Sequence, residues 1–253
     1  MSWFLREFET FDGRTVGYRT FAPEGEARRT ILVLHGFLAD GNMNWIAPGV
    51  AEAMAAAGLS LVLPDFRGHG LSKDVPPPYP PDALPMDQEA LIAHLGLTDY
   101  DLAGYSLGAR TAIRLLARGA RPRKAFLGGI GLLGIVRWED RAADFREWIR
   151  DGEAGTNPRA GRAVRALMGQ SHTGAEAALA VLDSQVTTTV EELAAIPTPC
   201  LVVSGDKDDD NGSAEELAAA LPNASALRVP GHHLSASGSP EYARAIVDWF
   251  SAP

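Results

Sequence analysis

The sequence predicts an α/β fold in which a mostly parallel central sheet is flanked by helices. Short apolar runs alternate with helical segments along most of the chain, which is the order that successive βαβ units produce. Each run is apolar at successive positions rather than at every second one, as expected for strands that helices cover on both faces. The runs are Ile31–Leu34, Leu59–Leu63, Tyr100–Ala103, Lys124–Leu127, Leu201–Ser204 and Ala226–Val229.

A hairpin is predicted before this alternation begins. Residues Trp3–Phe11 and Thr15–Phe21 have strand-like composition. The Asp12-Gly13 dipeptide between them is a typical hairpin turn, because both residues tolerate a positive φ. We therefore expect the N-terminal strands to be antiparallel, unlike the strands that follow.

Helices are predicted between the strands, and Gly58 and Gly119 follow two of them, as helix C-termini favour. They are Trp45–Ala57, Pro85–Leu95, Leu107–Arg118, Ala214–Leu221 and Pro240–Phe250. Residues 131–196 differ, because they hold helical patterns but no strand. These patterns are Trp138–Arg150, Arg159–Met168, Ala175–Val181 and Val190–Ala195. We therefore predict a core formed by residues 1–130 and 197–253, with residues 131–196 as a helical cap.

Composition limits the classes of function. The 253 residues are 46% hydrophobic with a formal net charge of -9, which suits one domain and argues against a nucleic-acid partner, since phosphate binding needs a basic surface. No apolar stretch approaches the roughly 18 residues of a membrane span, and charged residues at Arg6 and Glu7 interrupt any signal-peptide core. We expect a cytoplasmic protein without a membrane partner. The single cysteine, Cys200, excludes an internal disulfide and a cysteine-rich metal site, and its apolar neighbours predict that it is buried.

The segment Gly104-Tyr105-Ser106-Leu107-Gly108 carries the clearest chemical signal. It follows a predicted strand and opens a predicted helix, so Ser106 lies at the apex of a strand–turn–helix unit. The two glycines let strand and helix approach closely and leave the hydroxyl exposed. The pattern predicts a nucleophilic serine, and a serine that only caps a helix is the structural alternative.

A nucleophilic serine needs donors for the oxyanion that develops when it attacks a carbonyl. His35-Gly36-Phe37 follows the strand 31–34 and leaves the sheet edge at which ligands bind in parallel sheets. We expect the backbone N–H groups of Phe37 and Leu107 to form an oxyanion hole. His35 is interpreted as a structural residue that shapes this loop through hydrogen bonds.

The acid that would orient a general base is predicted in the turn after the strand 201–204, where Asp208 is favoured. The alternatives in the same turn are Asp206, Asp209 and Asp210. A solvated acidic turn is the structural interpretation of those that carry no role. Oxygen-bearing side chains at alternate positions of residues 206–212 also suggest a calcium loop, but the glycine comes one position late and Leu217 replaces the terminal glutamate. No metal is therefore expected.

The general base is predicted to be His232 or His233. Both follow the last predicted strand and precede the last predicted helix, a position from which an imidazole can reach Ser106. The remaining candidates lie on a helix, in the cap and in a turn, and are His94, His172 and His69. The chain order Ser, Asp, His, with each residue after a strand, makes a chance arrangement improbable.

These features together resemble the α/β-hydrolase family over nearly the whole chain. The shared landmarks are His35-Gly36-Phe37, Pro64–Ser72, Gly104–Gly108, Gly205–Asp208 and Gly231-His232-His233 before Ser239-Pro240-Glu241. The resemblance implies that Asp208, the second aspartate of Gly-Asp-x-Asp, is the acid. It implies that His233 rather than His232 is the base, because of its spacing to Pro240. It also implies that residues 65–70 form a structural turn.

The activity implied by this resemblance is hydrolysis of a carboxylic ester of a small molecule through an acyl-enzyme on Ser106, with His233 as base and Asp208 holding its tautomer. No cofactor is implied. A serine nucleophile excludes the family's haloalkane dehalogenases and epoxide hydrolases, which need an aspartate. The alternatives are a C–C bond hydrolase or cofactor-free perhydrolase with the same triad, and a non-catalytic small-molecule receptor on the same fold.

Substrate selection is expected to come from the cap and the loop at Phe37. The predicted pocket residues are Phe37, Leu38, Tyr105, Trp138, Phe145 and Trp148, and Trp45 is expected to add an apolar wall. Docking of the cap onto the core is the alternative role for the aromatic residues of the cap. No Arg or Lys is fixed by a motif, so we expect a small, neutral, partly apolar ester. The proline-rich residues 76–81 are expected to form a stiff loop at the pocket rim.

Overall fold

The computed structural model describes residues 2–23 and 27–252. The strands are β1 (Ser2–Glu9), β2 (Thr15–Ala22), β3 (Arg29–Leu34), β4 (Leu59–Pro64), β5 (Asp101–Tyr105), β6 (Ala125–Gly128), β7 (Cys200–Gly205) and β8 (Ala224–Val229). They form one sheet in the order β1-β2-β4-β3-β5-β6-β7-β8. The pairings β1–β2 and β2–β4 are antiparallel and the others are parallel, so the predicted fold class is confirmed.

The α-helices of the described residues are α1 (Val50–Ala56), α2 (Ala83–His94), α3 (Leu107–Ala117), α4 (Leu132–Val136), α5 (Trp138–Asp151), α6 (Pro158–Ser171), α7 (Ala175–Asp183), α8 (Val190–Ala194), α9 (Ala214–Ala220) and α10 (Pro240–Ser251). Helix α4 has no counterpart in the sequence prediction, because five residues are too few to establish a helical period. Among the described residues, no helix is both long and apolar enough to cross a membrane.

Two apolar layers cover the sheet, and alternate residues of β3 show how they are divided. Leu32 and Leu34 pack with residues of α2, α3 and α9, whereas Ile31 and Val33 pack with residues of α1 and α10. Because successive side chains of a strand point to opposite faces, an apolar strand serves both layers at once. This explains why the central parallel strands are apolar at successive positions over most of their length.

Helices α4 to α8 lie between β6 and β7 in sequence, and we refer to residues 132–194 as the cap segment. Helices α5, α6 and α7 surround a third apolar cluster, which also contains Leu38 from the loop after β3. The buried members are Leu38, Trp138, Ala142, Ile149, Val164, Ala178 and Leu182. The cap segment is therefore packed on the loop that the sequence predicts to hold the oxyanion.

The single helix predicted over Trp45–Ala57 is wrong. Residues Asn42–Ile46 form a π-helical turn, and α1 begins only at Val50. Pro48 has no N–H to continue the helical hydrogen bonds, and Gly49 has φ 80, which reverses the chain before α1. The break leaves Asn44 of the turn beside the loop at Gly36 rather than on a continuous helix.

The proline-rich residues 76–81 lie against the N-terminal hairpin. They do not line the cavity that contains Ser106, whereas the sequence analysis places them at the pocket rim. The Arg14 guanidinium donates hydrogen bonds to the carbonyl oxygens of Pro76 and Pro78. The Tyr79 side chain is buried, and its hydroxyl donates to the Val75 carbonyl at 2.7 Å. Residues 76–81 are therefore fixed to the hairpin at that end of the sheet.

Arg67 joins three parts of the core through a buried ion-pair network. Its guanidinium donates to both carboxylate oxygens of Asp87 on α2 at 2.6 Å and to both oxygens of Asp12 in the hairpin turn at 2.8 Å. The Arg67 side chain is fully buried and that of Asp87 is 2% exposed. The hydrogen bonds from Arg67 lower the pKa of Asp12 to about 2. The turn at residues 65–70 is thus fixed to the hairpin and to α2.

Replacing Arg67→Ala is expected to lower the free energy of unfolding by about 3–5 kcal/mol, because it leaves the Asp87 carboxylate buried without its partner. Chemical denaturation measures the change. Arg162→Ala is the control, since Arg162 pairs with Glu153 on the exposed surface and its removal should have no measurable effect. A loss under about 1 kcal/mol for Arg67→Ala would contradict the role of this network.

Candidate active site

Ser106 lies at the turn between β5 and α3. Its backbone has φ 53 and ψ -114, a conformation that costs energy for a residue with a side chain. A Cβ atom on Gly104 would overlap the Gly108 carbonyl, and one on Gly108 would overlap the Leu34 carbonyl. The Ser106 N–H donates to the Gly128 carbonyl at 2.8 Å, which fixes the turn to β6. The two glycines therefore allow a close backbone approach that leaves the Ser106 side chain at the carboxyl edge of the sheet.

The side chains of Ser106, His233 and Asp208 form one hydrogen-bonded chain. Ser106 Oγ lies 3.0 Å from His233 Nε2, and His233 Nδ1 lies 3.0 Å from Asp208 Oδ2. Because an ionised carboxylate only accepts hydrogen bonds, Nδ1 carries the proton and Nε2 can accept one from the serine. The arrangement can act as a nucleophile, a general base and an orienting acid.

Asp208 is ionised in this environment although it is buried, with only 2% of its side chain exposed. Burial raises the pKa of its carboxyl, but the hydrogen bond from His233 and the charge of Arg228 help to outweigh burial and hold the pKa below its usual value. The backbone N–H of Asp210 adds a hydrogen bond to the other oxygen of Asp208 at 3.3 Å. Asp208 therefore presents a negative charge to the imidazole at neutral pH.

The two adjacent histidines have different surroundings. The Tyr105 hydroxyl donates to the His233 backbone carbonyl at 2.5 Å, which fixes that residue beside the nucleophile turn. His232 is exposed, and its Nδ1 accepts a hydrogen bond from the Leu234 N–H at 3.2 Å. The structure thus places His233, and not His232, between Ser106 and Asp208.

The other aspartates of the acidic turn have other partners. Asp206 accepts a hydrogen bond from the Gly231 N–H at 2.9 Å, and Asp210 pairs with Arg141 of the cap segment at 3.2 Å. Asp209 is exposed. Ligand atoms of Asp208, Asp210 and His233 lie within 4.8 Å of one another, yet protein partners engage all three side chains, which favours the triad over a calcium loop.

The loop after β3 lies against the nucleophile turn. A Cβ atom on Gly36 would lie 3.5 Å from Ser106 Cβ, and the Gly36 N–H donates to Asn44 Oδ1 at 2.6 Å. Within the described residues, the N–H groups of Phe37 and Leu107 have no hydrogen-bond acceptor. Both donors are therefore unoccupied, and their assignment to an oxyanion stays a prediction. Sequence reasoning missed Asn44, because its π-helical turn has no sequence signature.

Two buried histidines hold this loop. His35 Nε2 accepts a hydrogen bond from the Phe66 N–H at 2.8 Å, and its Nδ1 donates to the Gly36 carbonyl at 2.8 Å. His69 Nε2 accepts from the Leu38 N–H at 3.2 Å, and its Nδ1 donates to a carbonyl of its own turn at 2.9 Å. His35 thus has the structural environment expected from the sequence. The interaction of His69 with the loop was not predicted.

One cavity of about 410 Å³ contains Ser106 and His233 in its lining. Five of the six predicted pocket residues line it, namely Phe37, Leu38, Tyr105, Trp138 and Phe145. The lining residues that the sequence analysis missed include Met43, Asn44, Arg141, Leu167, Gln170, Asn211 and Leu234. Arg141 had a usable signal, because Trp138, Arg141 and Phe145 follow the spacing i, i+3, i+7 of one helix face.

Two predicted pocket residues lie elsewhere. Trp148 does not line the cavity, because its ring packs edge-on against Phe145, with centroids 5.2 Å apart, within the cap segment. Trp45 is fully buried in the core, where it contacts Tyr242 with ring centroids 6.4 Å apart. The break before α1 accounts for the position of Trp45, since its side chain belongs to the π-helical turn and faces α10.

Burial lowers the pKa of His69 to about 3, and His35 contributes further, while burial also lowers the pKa of His35. Both imidazoles bind protons more weakly in the folded protein than in the unfolded chain, where the pKa is about 6.5. The free energy of unfolding should therefore fall as the pH drops from about 6.5 to 5, by about 1.4 kcal/mol per pH unit from His69, and the lowered pKa of His35 adds to this fall.

Denaturation at several pH values measures this dependence of the unfolding free energy on pH. The variant His69→Gln should lack the part of the slope that His69 contributes. Long-range ¹H–¹⁵N NMR should show the His69 ring neutral at pH 5. A ring that becomes charged near pH 6 would contradict the proposed hydrogen bonding.

The chain is similar in fold to proteins of known structure. A solved esterase from Rhodococcus sp. ECU1013 is 26% identical, with a TM-score of 0.74 and coverage of 98% of each chain. The enol-lactonase from Burkholderia xenovorans LB400 is 23% identical, with a TM-score of 0.74 over 98% of this chain and 100% of that chain. At 23% identity, the similarity to the enol-lactonase shows the fold alone.

A curated relative matches over a shorter length. The N-formylmaleamate deformylase of Pseudomonas putida is 51% identical over 57 residues, which are 22% of this chain and 21% of the relative. A sequence profile described as the alpha/beta hydrolase family matches residues 31–247, which is most of the chain. The protein therefore belongs to the alpha/beta hydrolase family and is a hydrolase.

Proposed function

We propose that the protein hydrolyses a carboxylic ester of a small molecule, with Ser106 as the nucleophile. The observation that carries the proposal is the pair of 3.0 Å contacts that join Ser106 to His233 and His233 to Asp208. Ser106 Oγ attacks the carbonyl carbon while its proton passes to His233 Nε2. The imidazolium then gives this proton to the leaving alcohol oxygen, and an acyl-enzyme remains.

Two backbone donors stabilise the tetrahedral intermediate. The N–H groups of Phe37 and Leu107 are assigned to the oxyanion, since neither has an acceptor within the described residues. A donor of this kind contributes about 3–4 kcal/mol to the transition state. Asn44 supports these donors indirectly, because its Oδ1 accepts a hydrogen bond from the N–H of Gly36, the residue before Phe37.

Deacylation repeats these steps with water. His233 Nε2 accepts a proton from a water molecule as the water oxygen attacks the acyl carbon. The bond to Ser106 Oγ then breaks, the imidazolium returns the proton to Oγ, and the acid product leaves. Asp208 stabilises the imidazolium in both halves of the reaction, because its carboxylate accepts from Nδ1. The proposed steps use only these side chains, the two backbone donors and water.

The cavity lining suits a small substrate with apolar parts, since Phe37, Leu38 and Trp138 lie in it together with Ser106. We assign the cap segment the role of covering this substrate. The sequence predicts a neutral substrate, because no motif fixes a basic residue at the pocket. Arg141 lines the cavity, so the prediction of a neutral substrate no longer has that support.

A second candidate function is hydrolysis of an N-formyl amide. The observation that favours it is the 51% identity over 57 residues with a protein named as a deformylase. The same side chains would serve, with a formyl group on Ser106 and the proton delivered to nitrogen instead of oxygen. Release of formate from an N-formyl amide would distinguish this activity from ester hydrolysis.

The native protein is expected to hydrolyse p-nitrophenyl esters in a series of acyl lengths from acetate to octanoate. Ser106→Ala and His233→Gln should each lower kcat by at least about a thousandfold, because the triad residues act as a unit. His232→Gln is the matched control and should remain within about twofold of the native rate, since its ring is exposed.

Equal losses in the two histidine variants would contradict the assignment of His233. Hydrolysis that persists in Ser106→Ala would contradict the assignment of the nucleophile. Formate release from an N-formyl amide without ester hydrolysis would replace the first proposal by the second.

A further inference from the structure

The cavity that contains Ser106 has one lysine or arginine in its lining among the described residues, and this residue is Arg141 on α5. Apart from Arg141 and the imidazole of His233, the side chains of the lining are apolar or uncharged. A cation in a largely apolar cavity attracts an anion more strongly than the same cation in water, because the surroundings screen it less. Arg141 therefore sets the charge that the cavity favours.

Aromatic rings fix the position of the Arg141 guanidinium. Its central carbon lies 5.1 Å from the centroid of the Phe145 ring and 5.6 Å from that of Trp148. A guanidinium is planar, so stacking on aromatic faces leaves its N–H donors free at the edge. This gives Trp148 a role behind the cavity wall, in place of the lining role that the sequence suggested.

The hydrogen-bonding capacity of Arg141 is largely unused. Within the described residues its one acceptor is Asp210, whose Oδ2 lies 3.2 Å from Nη2. This distance exceeds the roughly 2.7–2.9 Å of a strong charge-assisted hydrogen bond. The Asp210 side chain is half exposed, so water screens the pair, and a guanidinium has five N–H donors.

Arg146 on the same helix differs from Arg141 in the number of its acidic partners and in its position. Its side chain has the same 23% exposure as that of Arg141. However, Arg146 pairs with two carboxylates, those of Asp183 and Glu139, and it does not line the cavity. The difference between the two residues is position and pairing, which makes Arg146 a matched control.

We propose that Arg141 binds a carboxylate of the substrate, so that the protein acts on esters that carry a free carboxylate group. This inference rests on the proposed ester hydrolysis at Ser106. The carboxylate receives N–H donors that Asp210 leaves unused, and Asp210 competes weakly for the same guanidinium. Arg141 thus selects the substrate and takes no part in proton transfer.

The test compares two substrates of nearly equal shape, monoethyl glutarate, which is an anion, and its uncharged amide ethyl glutaramate. The native protein should favour the anion in kcat/KM by about tenfold or more, the size expected for a hydrogen bond to a charged group. Arg141→Gln should remove this preference, mainly through KM for the anion. Arg146→Gln should keep it.

Two further variants separate binding from structure. Arg141→Lys retains the charge without the planar fork, so it should keep part of the preference for the anion. Asp210→Asn removes the competing carboxylate and should raise kcat/KM for monoethyl glutarate relative to the amide. Equal loss of activity toward both substrates in Arg141→Gln would overturn the proposal and leave Arg141 a structural role.

A binding measurement distinguishes failure of this inference from failure of the proposed function. Calorimetry with Ser106→Ala protein measures the affinity for glutarate, which needs no catalysis. Affinity that falls about tenfold or more when Arg141→Gln is added supports carboxylate binding, even if no ester is hydrolysed. Affinity that is unmeasurable, or unchanged by Arg141→Gln, overturns it, even if neutral esters are hydrolysed.

Discussion

The close approach of β3, β5 and α3 at the nucleophile turn is the constraint on which the site depends. Ser106 has a positive φ, and the turn closes only because Gly104 and Gly108 bring no Cβ atom against the carbonyls of Gly108 and Leu34. This approach puts Gly36 beside Ser106 and brings the loop after β3 to the start of α3. The strain at Ser106 is offset by the packing of a sheet that is buried on both faces.

Buried polar groups carry the fixed geometry outward from this turn. His35 and His69 each use both ring nitrogens in hydrogen bonds, and His69 holds the Leu38 N–H, which follows Phe37. Arg67 in turn fixes the segment that contains His69 to the hairpin and to α2. The loop that we assign to the oxyanion is therefore held by buried hydrogen bonds, although it lies at the cavity.

The fold and the positions of Ser106, Asp208 and His233 follow from local patterns in the sequence, because parallel strands bring their carboxyl ends to one edge. The fold prediction is confirmed, and the catalytic roles remain predictions. The position after the last strand left both His232 and His233 open, and only the family resemblance, through the spacing to Pro240, selected His233. In the structure, a tertiary contact fixes His233, because the Tyr105 hydroxyl donates a hydrogen bond to the His233 carbonyl.

The cavity was less predictable, because its lining depends on how separate segments dock. Helical spacing alone suggested Trp148, whereas the structure lines the cavity with Arg141 and leaves Trp148 behind it. The break at Pro48-Gly49 moved Trp45 into the core and brought Asn44 to Gly36. Charge at the cavity wall thus arises from the cap segment, where helical spacing places Arg141 on one face with Trp138 and Phe145 but does not show which face meets the cavity.

The most direct test of the account is covalent labelling with a fluorophosphonate, which reacts with serines that a neighbouring base activates. Intact-mass and peptide analysis should show one adduct, on Ser106, that forms much more slowly in His233→Gln and not at all in Ser106→Ala. No adduct on the native protein, or an adduct on another residue with Ser106 unmodified, would contradict the claim that His233 and Asp208 make Ser106 a nucleophile.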